Sequence, residues 1–210
     1  MLHLSRRLHA PKIWIECEVR DVNGKLIHKR KFRGMSWVGN IVGYICGLFK
    51  LWVNTDANRW GSPLSPEVVN DTGNTARGVG ISSGAEVVTT VGGCAPAGDT
   101  SAGIVVGSSS SPVTINDYAL GGLIAHGTGA GQLLYGATTV EDLVKTANSW
   151  TFRIVRAFTN GSGATITVRE IGLYLRIPYT IMFARDVLPT PIDIPNGATL
   201  TVRYIISHTI

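Results

Sequence analysis

Few residues of this sequence have the types and spacing that catalysis requires. Residues 126–132, HGTGAGQ, come nearest to a phosphate-binding loop. Their glycines follow the spacing G-x-G-x-G, without the Gly-Lys-Ser/Thr of a P-loop or a surrounding strand–helix–strand unit. None of the five histidines belongs to an H-E-x-x-H motif. We therefore predict a flexible loop at 126–132, no catalytic residue, no cofactor site and no enzyme.

The three cysteines, Cys17, Cys46 and Cys94, do not form a recognisable framework. Their number is odd, they are widely spaced, and no C-x-x-C pair or histidine at ligand spacing accompanies them. This pattern argues against both a disulfide scaffold and a zinc site. We predict three free thiols in a reducing compartment and no bound metal.

Positive charge is concentrated at the start of the chain. Residues 1–50 contain ten Lys and Arg against three acids, and residues 51–210 contain nine against eleven, so the net charges are +7 and −2. The basic run Lys29-Arg30-Lys31 is most simply a solvated strand, and contact with an acidic protein surface is the alternative. Contact with nucleic-acid phosphates is disfavoured, because aromatic residues that could stack on bases are not interleaved with the run.

The N-terminal third alternates and then changes period. Apolar residues recur at every second position from Ile13 to Val19, and Asn23-Gly24 predicts a hairpin to a second strand. From Ser36 onward the spacing predicts an amphipathic helix with the stripe Trp37, Ile41, Ile45, Leu48 and Trp52. Its apolar run is shorter than the roughly 20 residues of a membrane span, so we expect no span. We favour packing on the domain or on another copy over a helix lying on a membrane surface.

Composition divides the chain into three parts. Residues 1–53 form the basic arm, hairpin and helix, and residues 54–102, rich in Gly, Ser, Thr and Pro, form an irregular interaction segment. Residues 103–210 contain short strand patterns separated by turn signals, including Pro189-Thr190-Pro191. The predicted fold class is all-β: an antiparallel β-sandwich or jelly-roll body with an N-terminal β-hairpin and one amphipathic helix.

One strand pattern of the body changes phase at a charged pair, Arg169-Glu170. The apolar residues before the pair share one parity, and those after it share the other. Successive side chains of a strand point to opposite faces, so we predict a β-bulge that adds one residue here and returns the apolar set to the core. The charged pair is expected to face outward, and the strand that begins at Thr165 is expected to pair with residues 150–158.

Three segments of the body carry a resemblance: DYALGGLIAHGTGAGQLLYGATTV, SWTFRIVRAFTNGSGATITVREIGLYL and ARDVLPTPIDIPNGATLTVRYIIS. They resemble structural proteins of tailed bacteriophages and their relatives, in which an Asp-Tyr-Ala-Leu element precedes a sandwich with an Arg-Glu-Ile-Gly-Leu-Tyr strand. The match covers roughly residues 103–208, and VREIGLY also looks like a segment of tail-fibre and collar proteins. The resemblance implies a non-enzymatic building block that is repeated by symmetry.

We therefore expect a virion protein, assembled in the host cytoplasm as a homo-oligomer with capsid or tail subunits. A head position, as a decoration or minor capsid protein, is favoured because the basic arm suits an acidic capsid surface or packaged DNA. The expected interface comprises Trp37, Ile41, Ile45, Leu48, Trp52, Lys29, Arg30, Lys31, Arg169 and Glu170. The alternative is a tail, collar or fibre component, including a receptor- or carbohydrate-binding sandwich that exposes Trp60, Trp150 or Tyr135.

Overall fold

The computed structural model describes residues 12–34, 67–69, 73, 75–77, 93–176 and 180–209 of the chain. Every regular element in these ranges is a strand, which confirms the all-β class there; the predicted helix lies outside them. In chain order the strands are β1 (Lys12–Arg20), β2 (Leu26–Arg33), β3 (Glu67–Val69), β4 (Thr75–Arg77), β5 (Gly103–Gly107), β6 (Leu134–Tyr135), β7 (Thr139–Val140), β8 (Val144–Lys145), β9 (Ser149–Thr159), β10 (Ile166–Arg176), β11 (Thr180–Ile194) and β12 (Thr199–Thr209).

A seven-stranded antiparallel sheet has the order β2-β1-β12-β9-β6, with the short strands β7 and β8 also pairing with β9. Alternation determines which side chains it buries. Every second residue is buried from Ile13 to Val19 on β1 and from Leu200 to Tyr204 on β12. The stripe from Ile154 to Phe158 on β9 is also buried. The face from Ile13 to Val19 was predicted from its period-2 pattern and is confirmed, and the stripes of β9 and β12 follow the same alternation.

A three-stranded antiparallel sheet has the order β11-β10-β5, and β3 pairs with β4 separately. All five residues of β5 are buried, as are consecutive residues of β10 from Glu170 to Tyr174. Both faces of these strands are therefore covered. Residues of the two larger sheets belong to one hydrophobic core, which is consistent with a β-sandwich. Jelly-roll connectivity stays a prediction. Among the residues described, none forms a helix of the length and apolar character that crossing a bilayer requires.

The chain crosses between the two sheets after β9 and returns before β12. The two crossing loops meet at the buried Asn160, whose side-chain amide donates to the carbonyl oxygens of Ala164 and Ile194, at 2.7 Å each. The N–H of Gly197 donates to the carbonyl oxygen of Asn160 at 2.7 Å. The predicted pairing of residues 150–158 with the next strand is therefore wrong: β9 pairs with β12, because residues 160–165 carry the chain to the other sheet.

The prolines at 189 and 191 predicted a turn, but β11 continues through them to Ile194. The register against β10 shifts there: Val168 lies opposite Ile192, whereas Glu170 lies opposite Val187. The irregularity predicted at Arg169-Glu170 is thus confirmed in position, but the extra residues are on β11. Because β11 is the edge of its sheet, prolines without an N–H are tolerated in it.

β1 and β2 form the predicted hairpin. Asp21 organises the connection, because its carboxylate accepts from the N–H groups of Asn23 and Lys25 at 2.9 Å each. Gly24 has a φ of 79°, in the left-handed region that favours glycine. β1 also pairs with β12 along its whole length, so the hairpin lies in the same sheet as the C-terminal strand, although the sequence division placed it in a separate part.

Candidate functional site

Three charged side chains from distant parts of the chain meet beside residues 108–122, here called the 108–122 loop. Arg185 on β11 donates from Nε to Oε2 of Glu170 on β10 and from Nη1 to Oδ2 of Asp117, each at 2.7 Å. Nη2 also donates to the carbonyl oxygen of Ser111 at 3.0 Å. The side chain of Glu170 is 0% exposed and that of Arg185 is 3% exposed. We call Asp117, Glu170 and Arg185 the ion cluster.

The main chain of the 108–122 loop completes the binding of Glu170. The N–H of Gly122 donates to Oε1 at 2.7 Å, and that of Gly121 donates to Oε2 at 3.2 Å. A β-carbon on Gly107 would contact the same carboxylate and lie 2.8 Å from the carbonyl oxygen of Gly122, so the close approach requires glycine. The prediction that the Arg169-Glu170 pair faces outward is therefore wrong for Glu170, because this carboxylate lies beneath the loop.

Tyr174 adds a neutral contact between β10 and the loop. Its hydroxyl oxygen accepts from the N–H of Leu120 at 2.8 Å. Glu170 and Tyr174 are four residues apart on one strand, so their side chains lie on the same face. At the base of the loop, the N–H of Ser108 donates to the carbonyl oxygen of Gly122 at 2.7 Å. The loop is thus fixed at its base, by the tyrosine and by the ion cluster.

The ion cluster is electrostatically self-contained. Burial opposes the ionisation of Asp117, but hydrogen bonds from Thr114 and Arg185 outweigh it and hold the pKa of Asp117 below its ordinary value. Burial also opposes the charge of Arg185, yet its hydrogen bonds to Asp117 and Glu170 raise its pKa. Asp117 and Arg185 are therefore both charged at neutral pH, and Arg185 also donates to the carboxylate of Glu170, so the arrangement holds a loop on a sheet.

Arg156 on β9 is a second buried arginine, with 1% of its surface exposed. Its guanidinium donates to five main-chain carbonyl groups, those of Gly136 at 2.8 Å, Ala102 at 3.0 Å, Ile104 at 2.8 Å, Pro96 at 3.3 Å and Asp99 at 2.5 Å. It also lies over the ring of Tyr135, 4.8 Å from the ring centroid. Burial lowers the pKa of Arg156. The site ties residues 96–104 and Gly136 to the larger sheet.

The basic hairpin presents two different faces. Lys29 Nζ lies 3.3 Å from a carboxylate oxygen of Glu16 and 3.5 Å from one of Glu18. Lys31 Nζ lies 5.3 Å from the ring centroid of Trp14. Arg30 lies opposite the buried Cys17, so its side chain projects from the core side of the sheet, at its exposed edge.

The predicted interface residues fall into three groups. The stripe Trp37, Ile41, Ile45, Leu48 and Trp52 lies outside the described residues. Lys29, Arg30 and Lys31 are together on β2 and exposed, Arg169 is half-buried, and Glu170 is buried. Sequence reasoning missed Arg156, Arg185 and Asp117. Only Arg156 left a signal, since it occupies a core position in the apolar stripe of β9.

Other candidate chemistry is accounted for within the described residues. In the 126–132 loop, Gly129 N–H donates to Oε1 of Gln132 at 2.9 Å. Cys17 is buried and Cys94 is exposed, and neither forms a disulfide within the described ranges, while Cys46 lies outside them. Burial, aided by the charge of Glu16, raises the pKa of Cys17 to about 12. No group of three potential metal ligands occurs in the part of the chain that the structure describes.

The aromatic residues proposed for sugar binding are only partly available. Tyr135 is 2% exposed, and its hydroxyl donates to the carbonyl oxygen of Ile124 at 2.6 Å, so the prediction that it could be exposed is wrong. Trp150 is half-buried and stacks on Phe152, with ring centroids 6.2 Å apart. Trp60 lies outside the described residues.

Comparisons with known proteins identify no relative of this chain. No protein-family model, no curated protein and no solved structure matches it. A functional assignment therefore depends on the residues and on their geometry.

Proposed function

We propose that the chain is a non-enzymatic virion structural protein of a tailed phage or a related virus, assembled as repeated subunits on the head. One observation carries the proposal: the three phage-like segments converge on the ion cluster. Asp117 belongs to the Asp-Tyr-Ala-Leu element, Glu170 to the Arg-Glu-Ile-Gly-Leu-Tyr strand and Arg185 to the Ala-Arg-Asp-Val-Leu segment. The residues that carry the resemblance are therefore in mutual contact.

The kind of contact supports a structural role. Leu120 and Tyr174, from two of the same segments, share the hydrogen bond that fastens the 108–122 loop to β10. Motifs that hold a loop on a sheet preserve an architecture, whereas the motifs of an enzyme place reactive groups in a cleft. Shared residues of the first kind suit a building block whose outline must be reproduced in every copy.

The positions of the surface grooves also support a structural role. Two grooves, of about 330 Å³ and 260 Å³, open on the described surface. Neither is lined by a member of the ion cluster or by Arg156. The charges of the ion cluster and of Arg156 are thus occupied in internal contacts and are not directed at these grooves, which supports a non-enzymatic function.

Exposed apolar residues form a surface suited to contacts between subunits. Val140, Leu143 and Val144 are between 45% and 61% exposed along the edge formed by β7 and β8. Exposed apolar surface of this kind marks interaction sites. In this proposal the predicted stripe from Trp37 to Trp52 is buried against neighbouring subunits, and the body is a sandwich of the jelly-roll type. A tail, collar or fibre position is the alternative within the same class of protein.

The test is the mass of the full-length chain in solution. Sedimentation velocity over a wide concentration range, with electron microscopy of the same samples, should show discrete assemblies well above the 22.4 kDa of one chain. A monomer at every concentration would contradict the proposal. Antibody labelling of phage particles that carry the chain should mark the head; labelling of tails would favour the alternative, and pre-immune serum is the control.

A further inference from the structure

We propose that the edge of β2 that faces away from β1 binds an acidic, extended segment of a partner protein, which adds to the seven-stranded sheet as a further strand. The inference rests on the proposed function in one respect, that the chain acts by binding other proteins. It goes further by stating the chemistry and the conformation of one partner.

β2 ends the order of its sheet, and no strand in the described ranges pairs with its other edge. The N–H of Gly34 donates to the carbonyl oxygen of Ile13 at 3.0 Å. Hydrogen-bonded and non-hydrogen-bonded pairs alternate along an antiparallel ladder, so Lys31 and Arg33 direct their main-chain groups away from β1. Their N–H and C=O groups can therefore pair with an added strand.

Charge determines which strand the edge accepts. Residues 25–34 contain five basic residues and no acid: Lys25, Lys29, Arg30, Lys31 and Arg33. Lysines on an edge strand oppose pairing with neutral or basic strands, and with the β2 of a second copy. The same charges favour an acidic strand, so the edge discriminates by repulsion as well as by attraction.

The groove beside β2 determines the side-chain pattern of the partner. Its volume is about 260 Å³, and it is lined by Arg30, Lys31 and Phe32 on one side and by Pro189, Thr190 and Ile192 on the other. An added strand would place alternate side chains against this groove and against the opposite face. That face carries the side chain of Lys31, which borders both, and that of Lys29, which also pairs with Glu16 and Glu18. The best partner alternates apolar with acidic residues.

The neighbouring edge does not compete for the same segment. β11 is the outer strand of its own sheet, but Pro189 and Pro191 have no N–H to offer there. An extended segment at this end of the molecule therefore pairs with β2, and β11 contributes side-chain contacts through Ile192 and Thr190.

The experiment uses the full-length chain and a synthetic, fluorescently labelled peptide that alternates glutamate with valine. Fluorescence anisotropy should show binding that weakens as salt is added. A peptide of the same composition, with its glutamates and valines in two blocks, cannot place all its carboxylates on one face and should bind less tightly. A DNA duplex of similar total charge tests for general polyanion binding.

Two substitutions at one position separate charge from main-chain pairing. Lys31→Val removes the charge and keeps the N–H, and we expect roughly two- to fivefold weaker binding from the loss of one cross-strand charge pair. Lys31→Pro removes both, and we expect about fivefold further loss from the missing hydrogen bond. Arg153→Gln, on β9 of the same sheet, should leave the affinity unchanged. An alternating peptide with N-methylated main chain should fail to bind the unmodified protein, which keeps the test decisive if Lys31→Pro does not fold.

Several results would overturn the inference: no binding of the alternating peptide, equal affinity for the blocked peptide, or equal affinity for DNA with no difference between Lys31→Val and Lys31→Pro. These failures are separable from failure of the proposed function. A chain that forms large assemblies but ignores the peptide removes only this inference. A chain that stays monomeric but binds the alternating peptide removes only the assembly role.

Discussion

Two buried arginines hold segments of chain onto this protein in different ways. Arg156 donates to five main-chain carbonyl groups, whereas Arg185 pairs with the carboxylates of Asp117 and Glu170. The first site surrounds a cation with neutral dipoles, and the second surrounds it with anions. The partners of Arg156 do not ionise, but those of Arg185 do, so the two sites should respond differently to substitution and to acid.

The difference in partners also determines how much stability the protein loses when each arginine is replaced. Removing Arg156 would leave neutral carbonyl groups, and that of Pro96 would still accept from the N–H of Asp99 at 3.3 Å. Removing Arg185 would leave the fully buried carboxyl group of Glu170 with main-chain N–H partners but without its cationic partner. The ion cluster therefore depends more strongly on its arginine than the carbonyl site does.

The largest effect is expected from Arg185→Met. We expect the free energy of unfolding to fall by about 3–5 kcal/mol, because one partner of a buried ion pair is removed and the other loses its counter-charge. Urea unfolding at neutral pH measures the loss. The double variant Arg185→Met with Glu170→Gln should recover part of it, since no buried anion remains. Arg176→Met breaks the pair with Asp99, in which the arginine side chain is 51% exposed, and should cost less than about 1 kcal/mol. An equal loss there would mean that buried and exposed ion pairs contribute alike to stability.

A smaller effect is expected from Arg156→Lys, which keeps the charge and removes the planar fork. An ammonium group has three donors and cannot reach carbonyl groups placed around a guanidinium, so some lose their partner. We expect a loss of about 2–3 kcal/mol in the free energy of unfolding, again by urea titration. Arg153→Lys on the same strand is the control, because Arg153 is exposed and pairs only with Glu141 among the described residues. If both substitutions lower the free energy of unfolding by the same amount, the carbonyl groups around Arg156 do not require a guanidinium.

Local pattern predicted most of the strands but not their partners. The stripes of β1, β9 and β12 follow from period-2 alternation, and the turn at Asn23-Gly24 follows from local turn chemistry. The placement of β9 beside β12 does not, because it depends on the contacts of Asn160 with a loop more than thirty residues away. The prolines at 189 and 191 were misread for a related reason: whether proline ends a strand depends on the strand being an edge, which is a property of the whole sheet.

The buried charged residues also depend on partners that local pattern does not predict. Glu170 was recognised as unusual because it interrupts an apolar pattern, but its partner Arg185 is fifteen residues away and Asp117 is fifty-three residues away. Without the register of β10 and β11, an outward-facing pair with Arg169 was the simpler interpretation. Arg156 could have been found, since it falls within a stripe of core positions and charged residues are rarely buried without partners.

The smallest effect is expected from Asp117→Asn, and it is the one that changes with pH. The pKa of Asp117 is lowered in the folded protein, so its ionised form contributes stability above its unfolded pKa of about 3.9, and that contribution is lost as the pH falls through the folded pKa. We expect Asp117→Asn to cost about 1.5 kcal/mol at neutral pH, through a weaker hydrogen bond to Arg185. The difference between the two proteins should shrink as the pH falls below about 4.

Urea unfolding of both proteins from neutral to acidic pH measures this change, and Arg156→Lys serves as the reference. The cost of Arg156→Lys should stay constant over the same interval, because carbonyl groups do not titrate and lysine keeps the positive charge. A difference between Asp117→Asn and the unmodified protein that stays constant on acidification would mean that the ionisation of Asp117 does not stabilise the fold. The two arginine sites would then be alike in their response to acid, despite their different partners.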